Sequence, residues 1–229
     1  MGKLPKYRVT PNYPLKLTGI DYAGPIQMRC YRGRGQKSYK AYIAIFICMT
    51  TKAIHLEADT NLTSDAFLAA LKRFFARRGK SAHMYSDNGT TFIGAATKLD
   101  KEFELAIKQN NEVASILAAD KIEWHFIPPA SPHFGGIWEA GVKSMKHHLK
   151  RTIGESKFTY EEMTTLLHQI EAVLNSRPLC TTNNDVESIE ALTPKVGRPS
   201  TNYRRKNKQI RSLEPHAKNE KRFLEQMET

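Results

Sequence analysis

Hydrophobic positions change their period several times along the chain, and each change marks an element. Apolar residues near alternate positions in LKLTGIDY predict a strand over residues 15–22, with Asp21 close to its end before an Ala23-Gly24-Pro25 turn. Residues 39–49 form a continuous apolar run rich in β-branched and aromatic side chains, and residues 53–58 alternate after Thr50-Thr51-Lys52. The pair predicts an antiparallel hairpin whose first strand is central. Thr63 or Ser64 then caps a helix with Phe67, Leu71, Phe74 and Phe75 on one face, and Gly79 ends it behind two arginines suited to the negative helix end. Residues 82–86 are a short strand running into Asp87-Asn88-Gly89, a signal for a tight turn with positive φ. Residues 95–120 repeat apolar positions at helical spacing, broken near Asn110-Asn111, and 122–127 alternate as a last strand. Strands and helices alternating in this way predict an α/β fold.

Residues 128–151, PPASPHFGGIWEAGVKSMKHHLKR, change character halfway. The first half cannot hold a helix, because proline lacks the amide donor and paired glycines carry the largest backbone entropy. From Ile137 onward Glu139, Lys143, Lys146 and Lys150 recur at the period of one helical face, while Ile137, Ala140, Gly141, Ser144, Met145 and Leu149 mark the face turned to a core. One acid thus begins a stripe of cations. Thr159 and Glu162 then have the spacing of a capping box, and Met163, Leu166, Leu167, Ile170, Val173 and Leu174 form an amphipathic stripe ending before Pro178. Residues 1–14 read as a proline-rich basic arm and 195–229, with ten Lys or Arg against four Glu, as a basic flexible tail. Residues 15–194 between them read as one domain.

Charge narrows the partners. A formal net charge of +12 implies an anionic partner such as nucleic acid or an acidic membrane surface. The longest apolar run, residues 41–49, is far below the roughly 20 residues of a spanning helix, so the membrane reading is set aside. Cys30, Cys48 and Cys180 are odd in number and far apart, which argues against a disulfide framework or a zinc ribbon and for a reducing compartment. Nothing in the pattern suggests a small-molecule substrate.

Three carboxylates stand out by position: Asp21 at a strand end, Asp87 at another, and Glu139 on a helix behind a loop. If the two strands are neighbours in one sheet, both aspartates converge at one edge and the helix can bring Glu139 over them. Such hard oxygen ligands suit Mg²⁺ or Mn²⁺, and two ions would activate the attacking oxygen and stabilise the leaving one in a displacement at phosphorus. Taken singly, each acid has an ordinary reading: Asp before Ala-Gly-Pro or Asn-Gly forms turns, and Glu139 with Lys143 is a surface i, i+4 pair. His147-His148 reads as exposed, and His125 as a hydrogen-bonded histidine rather than a ligand. The joint pattern carries the argument.

GIDYAGP around Asp21, YSDNGTTFIGA around Asp87 and PPASPHFGGIWEAGVKSMKHHLKR around Glu139 resemble the three blocks of retroviral and retrotransposon integrase cores. KAYIAIFICMTTKAIHLE and LNSRPL are similar to the intervening strands and following helix, and the resemblance extends over residues 15–193, closest to the BEL/Pao-type elements. It implies an RNase H-like fold, a five-stranded mixed sheet with helices on both faces, in which Asp21, Asp87 and Glu139 hold two divalent ions. It also implies trimming of the element's DNA ends, strand transfer into target DNA, homo-oligomers and a nuclear site of action reached through a cytoplasmic particle. Lys143 and Lys146 match cations that contact the element's end, Lys150 continues their stripe, and His133 falls where the family's loop places a polar DNA-contacting side chain.

The sequence departs from the family at three points. The spacing from Asp87 to Glu139 exceeds that of retroviral enzymes, a His-His-Cys-Cys zinc domain is absent upstream, and the tail does not resemble the family's C-terminal DNA-binding module. A polyprotein fragment, a degraded copy and a host gene derived from one all remain open. Two rival functions stay beside the integrase reading: a catalytically silent DNA-binding or oligomerisation module, and a simple nuclease of the same fold.

Overall fold

Strict alternation on one strand builds both layers of the core. In β2 (Ser38–Cys48), Ile43, Ile45 and Ile47 pack into one hydrophobic cluster while Ala44, Phe46 and Cys48 pack into the other. A continuous apolar run is therefore a strand with helices on both sides. The computed structural model describes residues 12–33, 35, 37–109, 121–128, 135–154, 156–181 and 191–194; residues 1–11 of the arm and the tail after 194 lie outside them.

The remaining elements are β1 (Leu17–Arg29), β3 (Ile54–Asp59), α1 (Ser64–Arg78), β4 (His83–Ser86), α2 (Thr90–Gln109), β5 (Glu123–Phe126), α3 (Gly136–Ile153) and α4 (Tyr160–Asn175), with a small ribbon of β6 (Cys180–Thr181) and β7 (Ala191–Leu192). The five-stranded sheet has the order β3-β2-β1-β4-β5. β1 pairs antiparallel with β2 and parallel with β4, β2 pairs antiparallel with β3, and β4 pairs parallel with β5. The middle strand is β1, with β2 an interior strand beside it. α1 and α2 cover one face, through Phe67, Leu71, Phe74, Phe92 and Ala95, and α3 and α4 cover the other, through Trp138, Met145, Leu149, Met163 and Leu167.

Local signals held where the chain was left to its own propensity. The Thr63 hydroxyl accepts from the Ala66 amide at 3.2 Å to open α1, and Gly79, at φ 86°, closes it with its amide on the Phe75 carbonyl. The capping box of α4 is formed: the Thr159 amide donates to Glu162 Oε2 at 2.7 Å and the Thr159 hydroxyl accepts from the Glu162 amide.

Two expectations were overturned. The strand does not end at Ala23-Gly24-Pro25; β1 runs through it to Arg29, with a register shift between Ala23 and Ile26 where proline cannot donate to the ladder. Gly24 is required there, since its φ of 144° excludes a side chain and a Cβ would lie 2.9 Å from Tyr42 Cδ1. Second, Gly89 has no positive φ, and α2 starts at Thr90 rather than near residue 95. Asp87 Oδ1 accepts from the Gly89 amide at 2.9 Å, an Asx turn whose Gly89 carbonyl then accepts from Phe92 and Ile93. The expected break near Asn110 lies outside the described residues.

The β3 edge of the sheet is closed by charge. All six residues of β3 are buried, including His55, Glu57 and Asp59. Asn175 on α4 accepts from the Ile54 amide at 2.8 Å and donates to its carbonyl at 2.7 Å, and Glu171 accepts from the Leu56 amide at 3.0 Å. Side chains of α4 thus replace the next strand. His55 bridges Glu57 and Glu171 at 2.9 and 3.1 Å, Arg73 and Arg77 bind Glu57, and Arg78 binds Glu171.

Candidate active site

Register brings the two aspartates side by side. In the parallel β1–β4 ladder Gly19 pairs with Tyr85, and Asp21 and Asp87 each lie two residues beyond that pair. Alternation turns Asp21 to the α3 face with Leu17 and Ala23, while Ile20 and Tyr22 pack among the α1 and α2 residues. The opposite face anchors this stretch: the Tyr22 hydroxyl donates to Asp59 Oδ2 at 2.6 Å and its ring stacks on Phe92 at 5.5 Å. At the end of β4, Ser86 donates to the Asp87 carbonyl and Asn88 Nδ2 donates to the Ile127 carbonyl at 2.9 Å, which ties the Asp87 corner to the end of β5.

Two glycines let α3 lie down on this edge. A Cβ on Gly19 would lie 2.5 Å from Trp138 Cε3, and one on Gly141 would lie 2.1 Å from Ile47 Cδ1. Real carbon contacts sit near ~3.5–4.0 Å, so a Cβ at Gly19 would force the buried indole aside and one at Gly141 would displace the end of the Ile47 side chain. Trp138 and Gly141 flank Glu139 in the first turns of α3, and their seating fixes where its exposed carboxylate stands. The apolar pattern had missed Trp138 and the two close approaches; the signal was present in the glycines, both inside apolar stretches where only a close neighbour explains them.

The groove beside Asp21 has a volume of about 510 Å³ and is lined by Asp21, Glu139, Lys143, Lys146, His147 and Lys150. Among the candidate residues, His133 lies outside the described residues. Burial pushes the Asp21 carboxyl up to about 6; the Tyr22 amide, 2.7 Å from Oδ1, opposes this, the charges of Asp87 and Glu139 add to it, and Lys146 opposes it. Asp21 on β1 thus feels the charges of Asp87 at the β4 corner and of Glu139 on α3; Glu139 lines the groove with it and Asp87 does not. A second cavity of about 590 Å³ shares Lys143 and His147 but contains no carboxylate, its walls being Ile47, Ile54, Val173 and Leu174 with Lys52 and Arg177.

The donor chemistry of the first of these places suits a divalent cation, and the carboxylates of Asp21, Asp87 and Glu139 are not gathered within 4.8 Å of one another in this structure. Its donors are hard oxygens, and Asp21 is half-buried beside two more acids with a single backbone amide as hydrogen-bond partner among the described residues. Positive charge placed there would relieve both the desolvation and the repulsion. Asp21, Asp87 and Glu139 are the residues that would hold it.

No protein-family model and no curated protein matches the sequence. Among solved structures, the chain is similar to a chain in the cryo-electron-microscopy structure of the simian T-cell lymphotropic virus intasome in complex with PP2A regulatory subunit B56 gamma, with a TM-score of 0.52 and 14% identity. The match covers 89% of this chain and 64% of that one, so this chain spans less than two thirds of its relative's length. The HTLV-2 integrase catalytic core domain in complex with magnesium also matches: the dimeric form at TM-score 0.46 and 14% identity over 80% of this chain and 94% of that one, the trimeric form at 0.45 and 16% over 75% and 91%. The five-stranded mixed sheet with helices on both faces is the RNase H-like fold. Among the described residues, no helix is long and apolar enough to cross a membrane.

Proposed function

We propose that this chain is the catalytic core of an integrase-type polynucleotidyl transferase, of a BEL/Pao-like retrotransposon or a gene derived from one. One observation supports the reading: Asp21, under the charges of Asp87 and Glu139, shares a groove with Glu139 and the Lys143, Lys146 and Lys150 stripe. Such a groove suits a phosphodiester backbone laid along cations with its reacting phosphorus at the acids. Asp21, Asp87 and Glu139 hold two Mg²⁺ or Mn²⁺ ions, and Lys143, Lys146 and Lys150 hold phosphates through charge without reading sequence. Bound there, the ions supply activation of the attacking oxygen and stabilisation of the leaving one. Because one phosphodiester replaces another, the residues need form no covalent intermediate with DNA.

Element DNA ends and target DNA are the substrates, 3′-end processing and strand transfer the reactions, a homo-oligomer the working form and the nucleus the site of action. The test is a gel assay with Mn²⁺ and a labelled branched DNA that mimics a strand-transfer product, comparing wild type with Glu139→Gln. Resealing by wild type alone supports the proposal. Cleavage without joining identifies a nuclease, and absence of both from a folded, DNA-binding preparation identifies a silent binding module.

A further inference from the structure

A second group of metal-binding side chains lies away from the acids, on the edge of the sheet at β4 and β5. His83 pairs in register with Glu123, and Tyr85 with His125, so alternation puts the side chains of His83, Glu123 and His125 on one face of two adjacent strands. His83 Nδ1 lies 3.2 Å from His125 Nε2 and 3.0 Å from Glu123 Oε2, and His125 Nε2 lies 3.6 Å from the same oxygen. All three donor atoms converge on one point of the surface.

Those separations have a meaning. Zinc takes nitrogen and carboxylate ligands at about 2.0–2.1 Å in a tetrahedron, whose edges are therefore about 3.3 Å. The three measured edges scatter around that length. Two imidazoles and a carboxylate are also a donor set that suits Zn²⁺ better than Mg²⁺ or Ca²⁺, which select oxygen. The rings are held before any ion arrives: Tyr85 stacks on His125 with centroids 4.7 Å apart. His83, His125 and Glu123 are all partly exposed, with side-chain exposures of 31%, 42% and 64%, which leaves a fourth direction open to solvent.

The geometry points to a Zn²⁺ site formed by His83, Glu123 and His125, a clamp joining edge strand β5 to β4. It is distinct from the acidic groove, whose lining includes none of the three; His83 lies about 13 Å of extended chain before Asp87, and His125 sits opposite Tyr85, about 7 Å before it. β5 has four residues and pairs on one side with β4. Its far end receives the Asn88 side chain at Ile127, beside Asp87. A metal joining the two strands at their start would fix β5 in register at both ends. The clamp does not depend on the proposed transferase activity.

The test uses the full chain, freed of metal with a chelator and then titrated with Zn²⁺ and, separately, with Co²⁺. It is run in wild type and in an Asp21→Asn/Glu139→Gln background that removes the acidic groove as a competing site. The expected result is one Zn²⁺ per chain in both proteins, an intense four-coordinate visible spectrum with Co²⁺, and slower hydrogen exchange of β5 amides with Zn²⁺ bound. His83→Gln or His125→Gln should weaken binding beyond the roughly 10–100-fold typical of losing an outer-shell partner. His147→Gln/His148→Gln should leave it unchanged. X-ray absorption on the zinc-loaded wild type, which needs no variant, should show two imidazole ligands. Zinc uptake unaffected by the His83 and His125 substitutions, a weak six-coordinate cobalt spectrum, or no uptake by folded wild type would each overturn the site and leave a hydrogen-bonded cluster.

Discussion

Replacing Gly19 with alanine tests the claim that close packing, rather than the acid alone, places Glu139. The backbone at Gly19 tolerates alanine, because Gly19 is not among the positive-φ glycines of the described residues. The new Cβ would lie 2.5 Å from Trp138 Cε3, 3.2 Å from Trp138 Cζ3 and 3.2 Å from Met49 Sδ. Relief to ordinary contact needs a shift of about 1 Å or more. Gly19 cannot retreat, since it pairs with Ile47 on one side and Tyr85 on the other, and Trp138 is only 3% exposed, so the indole and the helix carrying it must move. Overpacking of this kind costs about 1–3 kcal/mol, and the reduced entropy of the unfolded chain returns about 0.4–1 kcal/mol. A net loss near 1–2 kcal/mol lowers Tm by roughly 2–8 °C in a domain of this size. Glu139 is the next residue, and a displacement of about 1 Å in a catalytic group is worth about 100-fold in rate. Resealing of branched DNA should therefore fall far more than stability does. A double-mutant cycle with Trp138→Leu isolates the contact, and the alanine should cost at least ~0.5 kcal/mol less in the leucine background. Unchanged Tm and resealing in Gly19→Ala, or the same loss in both backgrounds, would refute the wedge.

Other expectations follow from the same geometry. Lys143→Glu with Lys146→Glu should weaken DNA binding uniformly across sequences and reduce the salt slope by about 2, read by fluorescence anisotropy at several salt concentrations; an unchanged slope moves the DNA face elsewhere. Asp21, raised to about 6, disfavours the metal-free fold once ionised, so stability should fall as pH rises from about 4 through 6. Asp21→Asn should therefore raise the metal-free Tm above pH 6 and abolish stabilisation by Mn²⁺, and a lower metal-free Tm would contradict this. Burial opposes the His55 charge, but the hydrogen bonds it donates to Glu171 and Glu57 outweigh this and raise its pKa. That contribution is complete below the unfolded value of about 6.5 and is lost as pH rises through the folded value, a slope that His55→Gln should flatten in denaturant titrations. Asn175→Ala leaves the buried amide and carbonyl of Ile54 unpaired and should cost about 2–4 kcal/mol in the same assay; a loss below ~1 kcal/mol would mean water replaces it.

What the sequence made legible was local. The β2–β3 hairpin, the caps of α1 and α4 and the lysine stripe of α3 depend on neighbours within a few residues, and their residue types declare them. The Ala23-Gly24-Pro25 turn signal failed because pairing with β2 on the far side of it was worth more than the local preference for a turn, leaving a bulge in place of an end. The β3 edge was illegible for a different reason. His55, Glu57 and Asp59 have the alternation of a solvent-facing row, and their burial depends on Arg73 and Arg77 of α1 and on Glu171, 115 residues from the Leu56 amide it accepts from. The three acids could be picked out singly, but their convergence required β1 and β4 to be parallel neighbours, a fact of topology that no window of sequence contains.

The two aspartates near β1 show why a raised pKa alone would not have found the site. Asp59 and Asp21 are both pushed up to about 6, in both chiefly by burial. Asp59 nevertheless accepts from the Tyr22 hydroxyl at 2.6 Å and from Arg73 at 3.2 Å, and its side chain is 3% exposed. It is an enclosed acid whose partners are already present. Asp21, one residue from Tyr22 but on the other face of the strand, has one backbone amide, two neighbouring carboxylates and an open groove. What separates them is the supply of positive charge: Asp59 is hydrogen-bonded to the Arg73 guanidinium, whereas among the described residues Asp21 has lysines across the groove but no cation bonded to it. Alternation along β1 is the device that makes this division, assigning Tyr22 to the structural network and Asp21 to the groove. A one-residue slip of β1 would exchange the two faces and abolish both at once.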